Sequence, residues 1–369
     1  MTRPAGELSL EEGYDALRHG CGARRLDRDV VLVTGGDAAA YLQGQVSQDI
    51  AVLAVGETAD ALLLEPDGKL SALVRITRVG DDRYALDVDT GFGDTVTERL
   101  RRFRLRTKVE IEEVSWPCLA LRGPAATSVA RAATSAAPAA GHDGPWLLAF
   151  AWNGVSGVDL LGPGADSVIG TGDLAGTDGP ATGSDPAALG ALQWCGAEPW
   201  ESVRIEAGIP ALGRELGPKT IPAEVPGLVE RAVSFTKGCF TGQELVARID
   251  ARGSRVPRLL RGLVATEDGT TAYGPGSAAV ADRMAQLDRL ARSELVVDGR
   301  DKPVGRVTSA GWCPGAGGVA ALGYVHRSVA VGEIVRAVVS SGEGTPAPDA
   351  AASRDPRRGV VLEVRGLPL

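Results

Sequence analysis

The sequence predicts an α+β fold. From Met1 to Trp116, short β-branched runs and helical stretches follow one another without βαβ repetition. After Arg255-Val256-Pro257, short apolar runs recur at regular spacing between glycine turns, the pattern of a barrel or sandwich. A chain of 369 residues has room for two or three domains and a sizeable core, and its 44% hydrophobic share suits a soluble globular protein.

Each element has its own signal. Asp29 to Val33 is apolar and β-branched and reads as a strand; Gly35-Gly36-Asp37 then turns the chain into a helical stretch from Ala38 to Gln43. Ala61–Leu64 and Leu70–Ile76 read as strands, joined by Pro66-Asp67-Gly68, where a tight turn wants proline and glycine. Tyr84–Val88 and Val109–Val114 read as further strands. Asp94–Arg104 reads as a helix with Val96, Leu100 and Phe103 on one face. Gly123 to Pro145 is rich in Ala, Gly, Ser and Pro, so a second lobe is expected to start near Cys118, with a helix in the alanine-rich centre. Trp146–Trp152 and Gly157–Leu161 read as strands of that lobe. Asp166 to Asp185 is glycine-rich and reads as a poorly packed segment. Helices are expected over Ala187–Ala197 and Pro199–Gly208. Beyond Pro257 the strand signals are Leu259–Ala265, Ser293–Val297, Pro303–Ser309, Val319–Val325 and Ile334–Val339. Gly342–Arg358 reads as a long loop before a last strand, Val360–Val364.

Composition excludes several functions. A formal net charge of −8 argues against a general nucleic-acid binder, though it leaves room for local basic pockets. The five cysteines, Cys21, Cys118, Cys195, Cys239 and Cys313, are scattered, odd in number and free of Cys-x-x-Cys pairs. With three isolated histidines they form no metal-ligand spacing. A disulfide-built secreted protein is not expected, and a reducing cytoplasm is the natural setting. Met1 to Gly13 lacks the apolar run of a signal peptide, and no segment approaches the roughly 18 apolar residues of a membrane span.

The densest chemistry lies in Lys237-Gly238-Cys239-Phe240-Thr241-Gly242-Gln243-Glu244. Thr241 and Glu244 have capping-box spacing, and Leu245, Val246 and Ile249 follow at helical spacing. Cys239 is therefore expected just before a helix that starts near Gly242. The helix dipole and the Lys237 cation would each lower its pKa and favour the thiolate. The same residues also fit a small buried cysteine in a tight loop; exposure decides between the two. The other four cysteines read as core residues.

That octapeptide resembles the signature of the folate-binding YgfZ family, which is related to the T-protein, the aminomethyltransferase of the glycine cleavage system. Further matches follow in family order: Gly36 to Asp49, Arg204-Ile205-Glu206-Ala207-Gly208-Ile209-Pro210, Ile221-Pro222-Ala223-Glu224, Val246-Ala247-Arg248, and Pro303 to Ala310. The resemblance implies a three-lobed cloverleaf. Residues 1–116 and 199–256 would form a first α+β, folate-binding domain, residues 117–198 a ferredoxin-like second domain, and residues 257–369 a C-terminal β-barrel. It implies tetrahydrofolate or a folate derivative as cofactor, with iron–sulfur enzymes or their assembly factors as partners, a cytoplasmic location, and no binding to nucleic acid or membrane.

Residue by residue, the resemblance points to Glu206 as a contact for the pterin ring. A carboxylate can accept two N–H bonds from an aminopyrimidine edge. From position alone the same residue reads as a surface glutamate paired with Arg204 at a helix end, and the resemblance favours the folate contact. Trp200 matches a folate-contacting tryptophan, and aromatic faces stack on flat heterocycles. Arg248, Arg252 and Arg255 could hold the glutamate tail of folate or form a solvated face. Cys239, favoured as a thiolate by Lys237, would engage a partner, a sulfur species or an iron–sulfur intermediate.

Two departures stand out. The family's N-terminal tryptophan is replaced by the polar Asp27-Arg28-Asp29. In the T-protein the segment after the turn glycine carries an aspartate used in methylene transfer. Here Gly68-Lys69-Leu70-Ser71-Ala72-Leu73-Val74 has no carboxylate to stabilise a developing iminium, so aminomethyl transfer is expected to be poor. The expected function is folate-linked support of iron–sulfur cluster assembly or repair. The alternatives are a folate-dependent aminomethyltransferase or demethylase, and an interaction scaffold without folate.

Overall fold

The computed structural model describes residues 7–135, 144–165, 192–251, 253, 255–266, 280–300, 302–338 and 359–369. Two compact units form: Thr2–Trp200 with Ala211–Arg255, and Glu201–Pro210 with Val256–Leu369.

The larger unit begins with α1 (Leu10–His19), whose N-terminus is closed by a Ser9–Glu12 capping box. Next come β1 (Gly22–Leu26), β2 (Arg28–Thr34), α2 (Ala38–Gln45), β3 (Thr58–Leu64), β4 (Leu70–Gly80), β5 (Arg83–Asp89), α3 (Gly93–Arg102) and β6 (Glu110–Val114). They are followed by β7 (Cys118–Arg122), α4 (Ala126–Ser135), β8 (Trp146–Trp152), β9 (Val155–Leu161) and β10 (Gln193–Trp194). Helix α5 (Ala197–Glu206) carries the chain into the smaller unit. After the return at Ala211, α6 (Leu228–Ala232) and α7 (Gln243–Ala251) complete the larger one.

The strands pair into two five-stranded sheets, ordered β3-β4-β5-β2-β6 and β10-β1-β7-β9-β8. The inner strands of the first are buried along most of their length because both faces are covered, which is why Val30–Val33 reads as a continuous apolar run. Val30, Leu32, Val79 and Ala85 of the first sheet join Cys118, Leu148 and Leu161 of the second in one core cluster, so the sheets pack on each other.

In the smaller unit, β11 (Arg258–Ala265), α8 (Val280–Leu290), β12 (Glu294–Val296), β13 (Gly305–Cys313), β14 (Gly318–His326), β15 (Ile334–Val338) and β16 (Val360–Arg365) follow in order. The strands close into a barrel, β11-β14-β13-β12-β15-β16, in which no strand edge is left open. Leu263, Val307, Val319, Leu295, Leu362 and Val364 fill it.

Three expectations change. The helix over Ala187–Ala197 is overturned in its described part: Gln193–Trp194 is a strand, parallel to Gly22–Ala23, and the Cys195 N–H donates to the Ala23 carbonyl at 2.9 Å. Pairing with a sheet edge outweighs local helix propensity here. Strand β1, placed by the sequence division within residues 1–116, pairs along its whole length with β7 in the second sheet. Helix α8 was not anticipated, although Val280, Met284, Leu287 and Leu290 follow helical spacing. The segments Asp166–Asp185 and Gly342–Arg358 lie outside the described residues.

Candidate functional site

In the larger unit, two glycine turns hold the cysteine motif. Gly68, in the β3–β4 turn, has φ +78, and Gly242, just before α7, has φ +82. A Cβ at Gly68 would lie 2.4 Å from Leu245 Cβ, and one at Gly242 would lie 2.5 Å from the Glu65 carbonyl oxygen. Only glycine fits at either position. Because Gly242 takes the left-handed turn, α7 starts at Gln243, and the Phe240 N–H donates to Gln243 Oε1 at 3.2 Å. The first turn is thus closed by Gln243 rather than by the expected Thr241–Glu244 pair.

Three more anchors fix the loop. The Thr241 N–H donates to the Gly44 carbonyl at 3.2 Å, and the Ser234 N–H to the Ser47 carbonyl at 3.0 Å. The Lys237 ammonium donates to the carbonyls of Gln43, Val46 and Gln48 at 2.6, 2.7 and 3.0 Å. These acceptors use all three of its N–H groups. Burial pulls its pKa down to about 8, against the pull of Asp49. The lysine charge is therefore directed at the end of α2 and the turn after it. Between these anchors Phe235, Thr236, Gly238 and Cys239 stand exposed, with Phe235 at 49%.

Cys239 is the exposed member of five free thiols. Burial pushes Cys21 and Cys195 up to about 11 and Cys118 to about 12. Cys313 rises well above its ordinary value, through burial first and then through Glu206 and Glu201. These four are held as inert thiols.

Glu206 and Arg204 lie in the smaller unit. Glu206 is no surface residue: it is 2% exposed, and its Oε1 accepts the Gly315 N–H at 2.8 Å. Arg204 pairs with Glu201, through two bonds at 2.8 and 2.7 Å, and donates to Ser309 Oγ and the Ile209 carbonyl, both at 2.6 Å. In the larger unit Trp200 is half-buried, and Arg248 is exposed on α7. With Leu245, Ile249 and Arg255, Arg248 lines an open concavity of about 560 Å³. Arg252 lies outside the described residues.

A buried chain of charges escaped the sequence reading. Arg28 bridges Asp89 and Asp87. Arg75 joins Asp87 Oδ2 at 2.9 Å to Asp159 Oδ2 at 2.6 Å, and Asp159 Oδ1 takes Arg122 Nη1 at 2.6 Å. The run crosses from the first sheet to the second. Burial alone would raise the Asp159 pKa, but Arg122 and Arg75 hold it down at about 2. Its signal was present in Val74-Arg75-Ile76, Leu86-Asp87-Val88 and Val158-Asp159-Leu160, where single charges stand inside apolar strands.

A family model described as the GCVT N-terminal domain matches residues 27–160. The "tRNA-modifying protein YgfZ" of Enterobacter sp. (strain 638) is 28% identical over 232 residues, covering 62% of this chain and 67% of that relative. An aminomethyltransferase of Lysinibacillus sphaericus is 26% identical over 289 residues, covering 73% of this chain and 74% of the relative. The chain is thus similar both to YgfZ proteins and to aminomethyltransferases. The crystal structure of aminomethyltransferase T from Bartonella henselae has the same fold, with a TM-score of 0.70 over 97% of this chain and 89% of that one, at 19% identity. In this chain the segment after Gly68 places Ser71, whose hydroxyl donates to Glu65 Oε1 at 2.6 Å, and the fully buried Ala72. No helix among the described residues is long and apolar enough to cross a membrane.

Proposed function

We propose that this protein binds a reduced folate, tetrahydrofolate or a derivative, and that Cys239 supports the assembly or repair of iron–sulfur enzymes. The observation that carries the reading is the contrast among the thiols: four are buried and pushed out of the reactive range, while Cys239 stands exposed on an anchored loop. The names of its relatives, a tRNA-modifying protein and an aminomethyltransferase, support a folate-linked role of the T-protein kind.

Two candidate contacts, each taken by itself, have chemistry that suits the cofactor. Glu206 keeps a carboxylate out of water, where charge-assisted bonds to an aminopyrimidine edge are strong. Trp200 keeps part of its indole accessible for a flat ring. A bound reduced folate supplies a carrier for one-carbon units. On the protein side, Lys237 fixes the backbone that carries Cys239. A net charge of −8 disfavours RNA binding by the chain itself, so a link to tRNA modification runs through a client enzyme. Aminomethyl transfer is the weaker reading, because Ser71 and Ala72 bring no charge to stabilise an iminium.

Calorimetric titration with tetrahydrofolate tests the first half. Wild type binds and Glu206→Ala loses binding at least tenfold; a wild type that does not bind ends the folate reading. For the second half, cells carrying Cys239→Ala lose iron–sulfur enzyme activity. Full activity in those cells rules out a role for the thiol.

A further inference from the structure

The buried chain of charges in the larger unit ends on Trp200. Arg122 is 5% exposed, donates to Asp159 and to the Leu121 carbonyl at 3.0 Å, and carries its guanidinium carbon 3.7 Å from the centre of the Phe150 ring and 5.2 Å from that of Trp200. Its other neighbours fix it in turn: Asp159 is tied to Arg75, and Arg75 to Asp87. At the far end of the same run Asp89 accepts the Leu212 N–H at 3.0 Å. Trp200 and Leu212 lie where the chain leaves for Glu201–Pro210 and where it comes back.

A planar guanidinium held by a carboxylate cannot rotate freely, and an aromatic ring resting on it inherits its orientation. The half-buried indole keeps part of its surface accessible. We propose that Arg122 is a positioning residue for Trp200, orienting the indole as a stacking surface for the flat heterocycle of the folate; the inference rests on the folate reading above.

The test compares wild type, Arg122→Gln and Arg122→Lys, each also with Trp200→Phe so that the Trp200 emission is obtained by difference. Tetrahydrofolate affinity and acrylamide quenching of Trp200 are both read at pH 7. Arg122→Gln is expected to bind about tenfold more weakly and to show increased quenching of Trp200, with thermal unfolding still cooperative. Arg122→Lys keeps the charge without the plane and falls between. Should the glutamine variant not fold, the lysine variant gives the same two readouts. A folded variant in which quenching rises and affinity stays within twofold of wild type overturns the inference. So does one in which affinity falls and quenching does not change. Absence of binding in wild type removes the folate reading and this inference with it, and is separable from the other outcomes because it appears before any variant is made.

Discussion

Lys237 shows how the partners of a single side chain escape a local reading. Its sequence neighbour is Cys239, but its three hydrogen bonds go to carbonyls 189 to 194 residues away in the chain. The exposure of Cys239 was equally illegible from eight residues, since it depends on which neighbours are anchored. The burial of the other four thiols was legible, because isolated cysteines in apolar runs usually sit in cores. A direct consequence follows at this scale. Iodoacetamide at pH 7.5 is expected to modify one thiol per native chain and five after denaturation, and none in native Cys239→Ser. Modification of a second cysteine at a comparable rate in the folded protein would contradict the burial of Cys21, Cys118, Cys195 and Cys313.

Among elements, the two facing glycine turns carry the loop. Gly242→Ala puts a methyl group into a left-handed position against the Glu65 carbonyl, at a cost of about 1–3 kcal/mol. The expected result is a melting temperature lower by several degrees. Gly238→Ala meets nothing within 4 Å and is expected to melt with wild type. Equal melting of both variants would mean the turns do not hold the loop. The strands themselves were largely legible, because their apolar runs are local and Pro66-Asp67-Gly68 marks a turn by composition. Strand β10 was not. It is two residues long and exists only because Gly22–Ala23, some 170 positions earlier, offers an edge. The charged chain also needed the tertiary structure: Arg75 and Asp87 face each other across β4 and β5, but Asp159 arrives from the other sheet.

For the whole molecule, the buried charges govern acid stability. The Asp159 carboxyl has an ordinary pKa of 3.8 and is held at about 2 in the folded state. A carboxyl lowered on folding stabilises above its ordinary pKa, and that stabilisation is lost as pH falls through the folded value. The contribution, on the order of 2 kcal/mol, is therefore complete near pH 5 and gone below about pH 2. In urea titrations the gap between wild type and Asp159→Asn is expected to narrow from pH 5 to pH 2.5. A constant gap over that range would show that the aspartate titrates alike in the folded and unfolded chain.

The larger unit is interrupted, leaving at Trp200 and resuming at Ala211. On the ribosome this imposes an order of events. The carbonyls of Gln43, Val46 and Gln48 emerge long before the lysine that will take them, with Lys237 trailing Gln43 by 194 residues. At ordinary elongation rates the delay is roughly 10 to 40 s. Throughout that interval the nascent chain can build both sheets, but it cannot present its thiol on an anchored loop. The exposed thiol therefore takes its place only after the strands around its anchors have been made.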